Sequence, residues 1–151
     1  MAVPYGQDGL ISEVANANPN TVVVIIAGSP INLSGIVNRV PCILWTWFGG
    51  MEAGNAVADL LNGKVNPSGK LPFTIPVSLD QSPAHALGNY PGRDLKVNYE
   101  EDILVGYRWF DTKKIQPQFA FGFGLSYTDF SIGDFSTDKM NYGNDEIIHT
   151  K

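Results

Sequence analysis

Acidic, aromatic and histidine side chains come first, because they carry most enzyme chemistry. Glu100-Glu101-Asp102 is a run of three acids, and Glu52 follows Gly49-Gly50 at the start of a helical pattern. Two carboxylates flanking a bond are what glycoside hydrolysis requires. Both positions also suit a plainer role, since acids settle at helix N-termini and in solvated turns. Trp45 and Trp47 alternate with Thr46, so both rings lie on one face of a strand whose end meets Gly49-Gly50. Ligands of open α/β sheets bind outside such strand ends, where an aromatic ring can stack on a sugar. Trp47 and Glu52 are therefore the candidate substrate-binding residues, with buried packing as the plainer alternative.

Other chemistries lack their signatures. No G-x-G-x-x-G, G-x-x-x-x-G-K-[ST] or G-x-S-x-G sequence occurs, although Gly28-Ser29-Pro30 follows a strand. His85 and His149 have no metal-binding spacing and read as solvated or locally hydrogen-bonded. The single cysteine, Cys42, excludes an internal disulfide and a multi-cysteine zinc site. It lies in an apolar run and reads as a buried, inert thiol. No metal and no cofactor are expected.

The elements that position these residues alternate in type. Asp8 is placed to cap a helix over 9–18, with Leu10, Ile11, Val14 and Ala15 on one face. TVVVIIA (21–27) reads as a strand buried on both faces, as in parallel sheets. A weak helix or irregular crossover over 31–39 leads to a second strand, PCILWTWF (41–48). A helix over 51–62 follows, with Gly63 as its left-handed cap. Asn66-Pro67-Ser68-Gly69 makes a turn, and KLPFTI (70–75) a third strand, at an edge because of Pro72. This order predicts an α/β fold with a mainly parallel sheet. Residues 76–102 are an irregular connection, 103–110 a strand or short helix, and 119–130 a glycine-rich β-like segment.

Bulk composition narrows the classes further. The 151 residues are 44% hydrophobic and 17% charged, with a net charge of −5. That balance does not suit disorder, and there is no basic stripe for nucleic acid. The acidic surface would be repelled by anionic membranes, and no apolar run approaches the ~20 residues of a membrane span. Met1–Tyr5 does not look like a signal peptide, so the sequence leaves the compartment open. Three good strands are few for a parallel sheet, which implies a piece of a larger protein.

NPNTVVVIIAGSPI (18–31), WTWFGGMEAGNAVADLLNGKVNPSGKLPFTIP (45–76), VGYRWFD (105–111) and FAFGFGLSYTDF (119–130) together resemble the C-terminal region of glycoside hydrolase family 3, in its β-glucosidase branch. The resemblance implies the later part of an (α/β)6-type sandwich over 1–76. A connecting loop and closing β segment would follow over 77–130, and the start of a fibronectin type III-like β-sandwich over 131–151. It also implies a retaining enzyme with an aspartate nucleophile and a glutamic acid proton donor. Both would lie outside this chain, so no catalytic residue is assigned here and the chain alone is expected to be inactive. Glu52 matches a family glutamate in the W-[YF]-x-G-x-E-x-G stretch that is not the proton donor. Within that stretch Gly49 stands where many members have Pro, Met51 for Gln and Ala53 for Gly. The implied substrate is a β-linked glucoside or oligosaccharide, bound by the parent enzyme. The alternative is a free-standing sugar-binding or assembly module that closes its open sheet edge against a second copy.

Overall fold

A computed structural model describes residues 3–131 and 133–150. A 3-10 turn at Pro4–Gly6 leads into helix α1, Gln7–Ala17. Its N-cap is Gly6 in a left-handed conformation (φ 69°), not Asp8. Asp8 sits in the first turn, where its charge suits the helix dipole. Ile11 and Ala15 turn inward, as the 3.6-residue period requires.

Strands β1 (Val22–Ile25) and β2 (Cys42–Trp45) form a two-stranded parallel sheet, with Val22 beside Cys42 and Ile25 beside Trp45. Both are shorter than the apolar runs that encode them. The sheet also corrects the expectation of burial on both faces. Val23 and Ile25 are buried, while Val22 and Val24 are exposed. Cys42, paired with Val22, is likewise exposed rather than buried. Alternate strand residues face opposite sides, so a sheet covered on one side exposes every second apolar residue.

The inner side is covered well. Val23, Ile25, Leu33, Ile36, Val40 and Ile75 form the core, with Ile11, Ala15, Ile43, Trp45, Leu71, Phe73 and Phe119 packed around it. The crossover between the strands is irregular, with turns held by Leu33 O accepting from Ile36 N and Val37 N. Helix α2, Ala53–Leu61, ends as its sequence indicates, with Gly63 at φ 70°.

The third strand of the sequence reading is not a member of the sheet. Residues 71–75 run antiparallel to 118–123 instead. Leu71 N donates to Phe123 O (2.9 Å), Gly122 N to Leu71 O (2.8 Å) and Ile75 N to Phe119 O (2.8 Å). Pro72 has no N–H to offer a ladder, so the pairing stays an isolated bridge at Ile75 and Phe119. Helix α3 (Pro83–Ala86) interrupts the long connection, and helix α4 (Tyr107–Lys113) settles 103–110 as turn then helix. Trp109 and Phe110 of α4 are buried, and Trp109 Nε1 donates to Gln81 O at 3.0 Å. Residues 133–150 form an arm bridged at Thr137 and Thr150.

Candidate functional site

The C-terminal end of β2 is where the sequence places its two site candidates. The ladder runs one residue past the strand, since Thr46 N and Oγ1 both donate to Ile25 O (2.9 and 3.1 Å). Trp47 then takes a left-handed backbone, φ 56°. For a bulky residue this costs roughly 1–2 kcal/mol. The rings around it oppose that cost. Trp47 lies 5.1 Å from Phe73 and 5.7 Å from Trp45, and Trp45 lies 5.7 Å from Phe73. Such aromatic pairs contribute about 0.5–1.5 kcal/mol each. Trp45 Nε1 also donates to Ala27 O at 2.9 Å, tying β2 to the end of β1. The two indoles thus share one side, as their alternation implies, and both are half-buried.

Glu52 lies on the far side of the turn. It is exposed at the start of α2, and its Oε2 accepts from Asn55 Nδ2 at 2.6 Å. A groove of about 390 Å³ is lined by Trp45, Trp47, Leu60, Leu71, Phe123 and Leu125, among others; Glu52 is not part of its wall. Two of the polar side chains at this groove are engaged elsewhere. Asn66 Oδ1 accepts from Ser126 Oγ (2.9 Å) and Tyr127 N (2.8 Å), and its Nδ2 donates to Thr128 Oγ1 (2.8 Å). Lys70 Nζ donates to Gly124 O. The groove is mostly apolar, and the Asn66 and Lys70 side chains on its wall are held by the 122–128 segment.

The remaining candidates disperse. Glu100-Glu101-Asp102 forms a turn, not a helix N-terminus, with Asp102 at φ 52°. Glu101 Oε2 is shielded from water and has no hydrogen-bond partner. His85 Nδ1 is 2.8 Å from Ser82 Oγ and its ring packs on Tyr90, as a locally bonded histidine should. Among the described residues no three His, Cys, Asp or Glu side chains gather into a metal-binding group, and no helix is long and apolar enough to cross a membrane. Sequence reasoning missed the Asn66–Ser126–Tyr127 latch, whose partners are some sixty residues apart. Asn66 in a turn was its one visible sign.

Residues 1–127 match the glycosyl hydrolase family 3 C-terminal domain. The chain belongs to glycosyl hydrolase family 3. It is 48% identical to the β-glucosidase BoGH3A of Bacteroides ovatus, over 92% of this chain and 19% of that protein. It is 46% identical to thermostable β-glucosidase B of Acetivibrio thermocellus, over 99% of this chain and 19% of that protein. Among solved structures it is similar to DesR, a β-glucosidase from Streptomyces venezuelae in complex with D-glucose. That match has a TM-score of 0.85 and 41% identity, over 92% of this chain and 18% of DesR.

The chain thus spans about a fifth of the relatives it matches. Within this family 3 domain the match runs through the sheet, the aromatic cluster, the groove and the latch, and ends at residue 127. The 133–150 arm lies beyond it.

Proposed function

We propose that this chain is the C-terminal domain portion of a retaining β-glucosidase-like hydrolase acting on terminal β-linked sugars. The carrying observation is its 46–48% identity to β-glucosidases of which it spans 19%. The catalytic aspartate and glutamate lie outside these residues, so the chain by itself is inactive. Support comes from the scatter of its acids: Glu52 is held by Asn55, and Glu100 to Asp102 sit in a turn. A retaining site needs two carboxyl groups about 5 Å apart across a sugar. Residues 1–76 are the later part of an (α/β)6-type sandwich, 77–130 the connection and closing segment, and 131–151 the start of a fibronectin type III-like domain. Trp47, packed on Trp45 and Phe73, braces one wall of the sugar pocket, and Glu52 holds the turn beside it.

A chimera tests this reading. The matching stretch of the Acetivibrio thermocellus enzyme is replaced by this chain and assayed on an aryl β-glucoside. The chimera should retain at least a tenth of the parent's kcat/KM, while the 151-residue chain alone releases no product. Turnover by the chain alone, or a folded chimera without activity, would overturn the proposal.

A further inference from the structure

Phe48 stands apart from the aromatic side chains that precede it. Trp45 and Trp47 are half-buried, and their rings pack on each other and on Phe73. Phe48 takes no part in that cluster and is 76% exposed.

Two backbone features set the place of its ring. The left-handed turn at Trp47 (φ 56°) breaks the strand alternation immediately before Phe48. Gly28, just past the end of β1, then receives the ring. A Cβ on Gly28 would sit 2.6 Å from Phe48 Cε2, 3.4 Å from Cζ and 3.5 Å from Cδ2. A residue without a side chain leaves that space free. One edge of the ring therefore rests on the β1 end, while most of the ring meets solvent.

This location suits a ligand. Open α/β sheets bind ligands outside the C-terminal ends of their strands. Phe48 follows the end of β2 and leans on the end of parallel β1, so it spans both ends. Residues 27–31 and 46–51, which leave these two ends, include no charged side chain. Such surroundings favour a neutral ligand with an apolar face of its own. A β-linked glucose unit has that shape, because its ring hydroxyls are equatorial and axial C–H groups line its faces. Backbone strain at a bulky residue also concentrates at ligand sites.

We propose that Phe48 is the ring on which a glucose unit of the substrate stacks, while Trp47 holds the turn that presents it. The assignment rests on the functional reading above. The contact is dispersive and apolar, so it depends on an aromatic face at position 48 and not on charge.

Two measurements test it. The chain carrying 13C-labelled phenylalanine is titrated with cellobiose, a β-linked glucose disaccharide, up to about 100 mM, the range of weak single-ring contacts. The Phe48 ring signal, identified by its loss in Phe48→Leu, should shift saturably. In the Acetivibrio thermocellus chimera, Phe48→Leu should raise KM for cellobiose about ten-fold with kcat within about two-fold, and Phe48→Tyr should keep the KM of the unaltered chimera. Gly28→Ala, whose methyl displaces the ring edge, should raise KM in the same direction with the urea midpoint unchanged. If Gly28→Ala unfolds, the two exposed Phe48 variants decide. A Phe48 signal that ignores cellobiose, an unchanged KM in Phe48→Leu, or equal KM changes in the Leu and Tyr variants would overturn the proposal. The two readings fail separately. An inactive chimera with a saturable Phe48 shift in the chain removes the proposed function and keeps the stacking residue, while an active chimera whose KM ignores Phe48 does the reverse.

Discussion

Gly49 and Ala53 show how neighbouring residues constrain each other at the turn into α2. A Cβ placed on Gly49 would sit 2.7 Å from Ala53 Cβ, too close for two methyl groups. The backbone of Gly49 is at φ −75° and ψ 0°, which any residue can adopt, so the obstacle is the Ala53 methyl rather than the backbone. Gly49→Ala should therefore destabilise by roughly 1–3 kcal/mol, the usual cost of overpacking. In an Ala53→Gly background the same change should cost much less, as a double-mutant cycle by urea unfolding would show. Glu146 in the arm offers a pH test. Lys139 Nζ, 2.6 Å from its Oε1, and then Gly143 N–H, 2.8 Å from Oε2, hold its carboxyl below the usual carboxylate value. A lowered folded value means that the contact is fully present above the unfolded value and is lost as pH falls through the folded one. The Gly143 amide proton should shift in NMR spectra as acid is added below the ordinary carboxylate range. It should not follow that course in Glu146→Gln.

At the scale of elements, the latch between 66–71 and 122–128 holds the third segment in place. Asn66 makes three of its hydrogen bonds, Ser126 Oγ also donates to Pro67 O (2.6 Å), and Tyr127 Oη reaches back to Leu60 O in α2 (2.7 Å). These groups are mostly exposed, so each bond contributes toward the low end of the ~0.5–1.5 kcal/mol range. Asn66→Ala should lower the urea midpoint by the equivalent of about 1–2 kcal/mol with little change in m-value. That latch also shows where sequence reading stops. β1, β2 and α2 were legible because their signals are local: a β-branched run, a second apolar run, and a helix closed by Gly63 in a left-handed turn. KLPFTI carries the same local signal as a strand, yet it pairs with 118–123, and nothing near residue 72 encodes a partner so far along the chain. The β2 end follows the same logic. Alternation places Trp45 and Trp47 on one side, but only the tertiary contact with Phe73 explains why Trp47 accepts φ 56°. Cys42 misled for the opposite reason. An apolar run implies burial on both faces only if both faces are covered, and cover is a property of the whole molecule.

At that largest scale the small core and the wide apolar surface determine how the chain behaves alone. The buried apolar residues described are Val23, Ile25, Leu33, Ile36, Val40, Ile75, Trp109 and Phe110. The last two belong to α4, outside the main cluster. Ile26, Phe48, Met51 and Leu125 are large and exposed. A two-stranded sheet is marginal in water by itself and gains stability from further strands or from packing against helices. Hydrophobic stabilisation scales with the apolar area removed from water, about 25 cal/mol per Å², so an uncovered sheet face withholds a large share of it. The isolated chain should therefore bind 8-anilinonaphthalene sulfonate with several-fold higher fluorescence than a compact domain of equal length. Its urea m-value should fall below that of such a domain, because unfolding exposes less new surface. Joined to the rest of a family 3 polypeptide, as in the chimera, the same residues should lose the dye signal and unfold with the whole. Dye binding as weak as that of a compact domain, together with a full-sized m-value for the chain alone, would mean that the outer face is covered within the chain's own solution structure. The β1–β2 sheet would then need no partner.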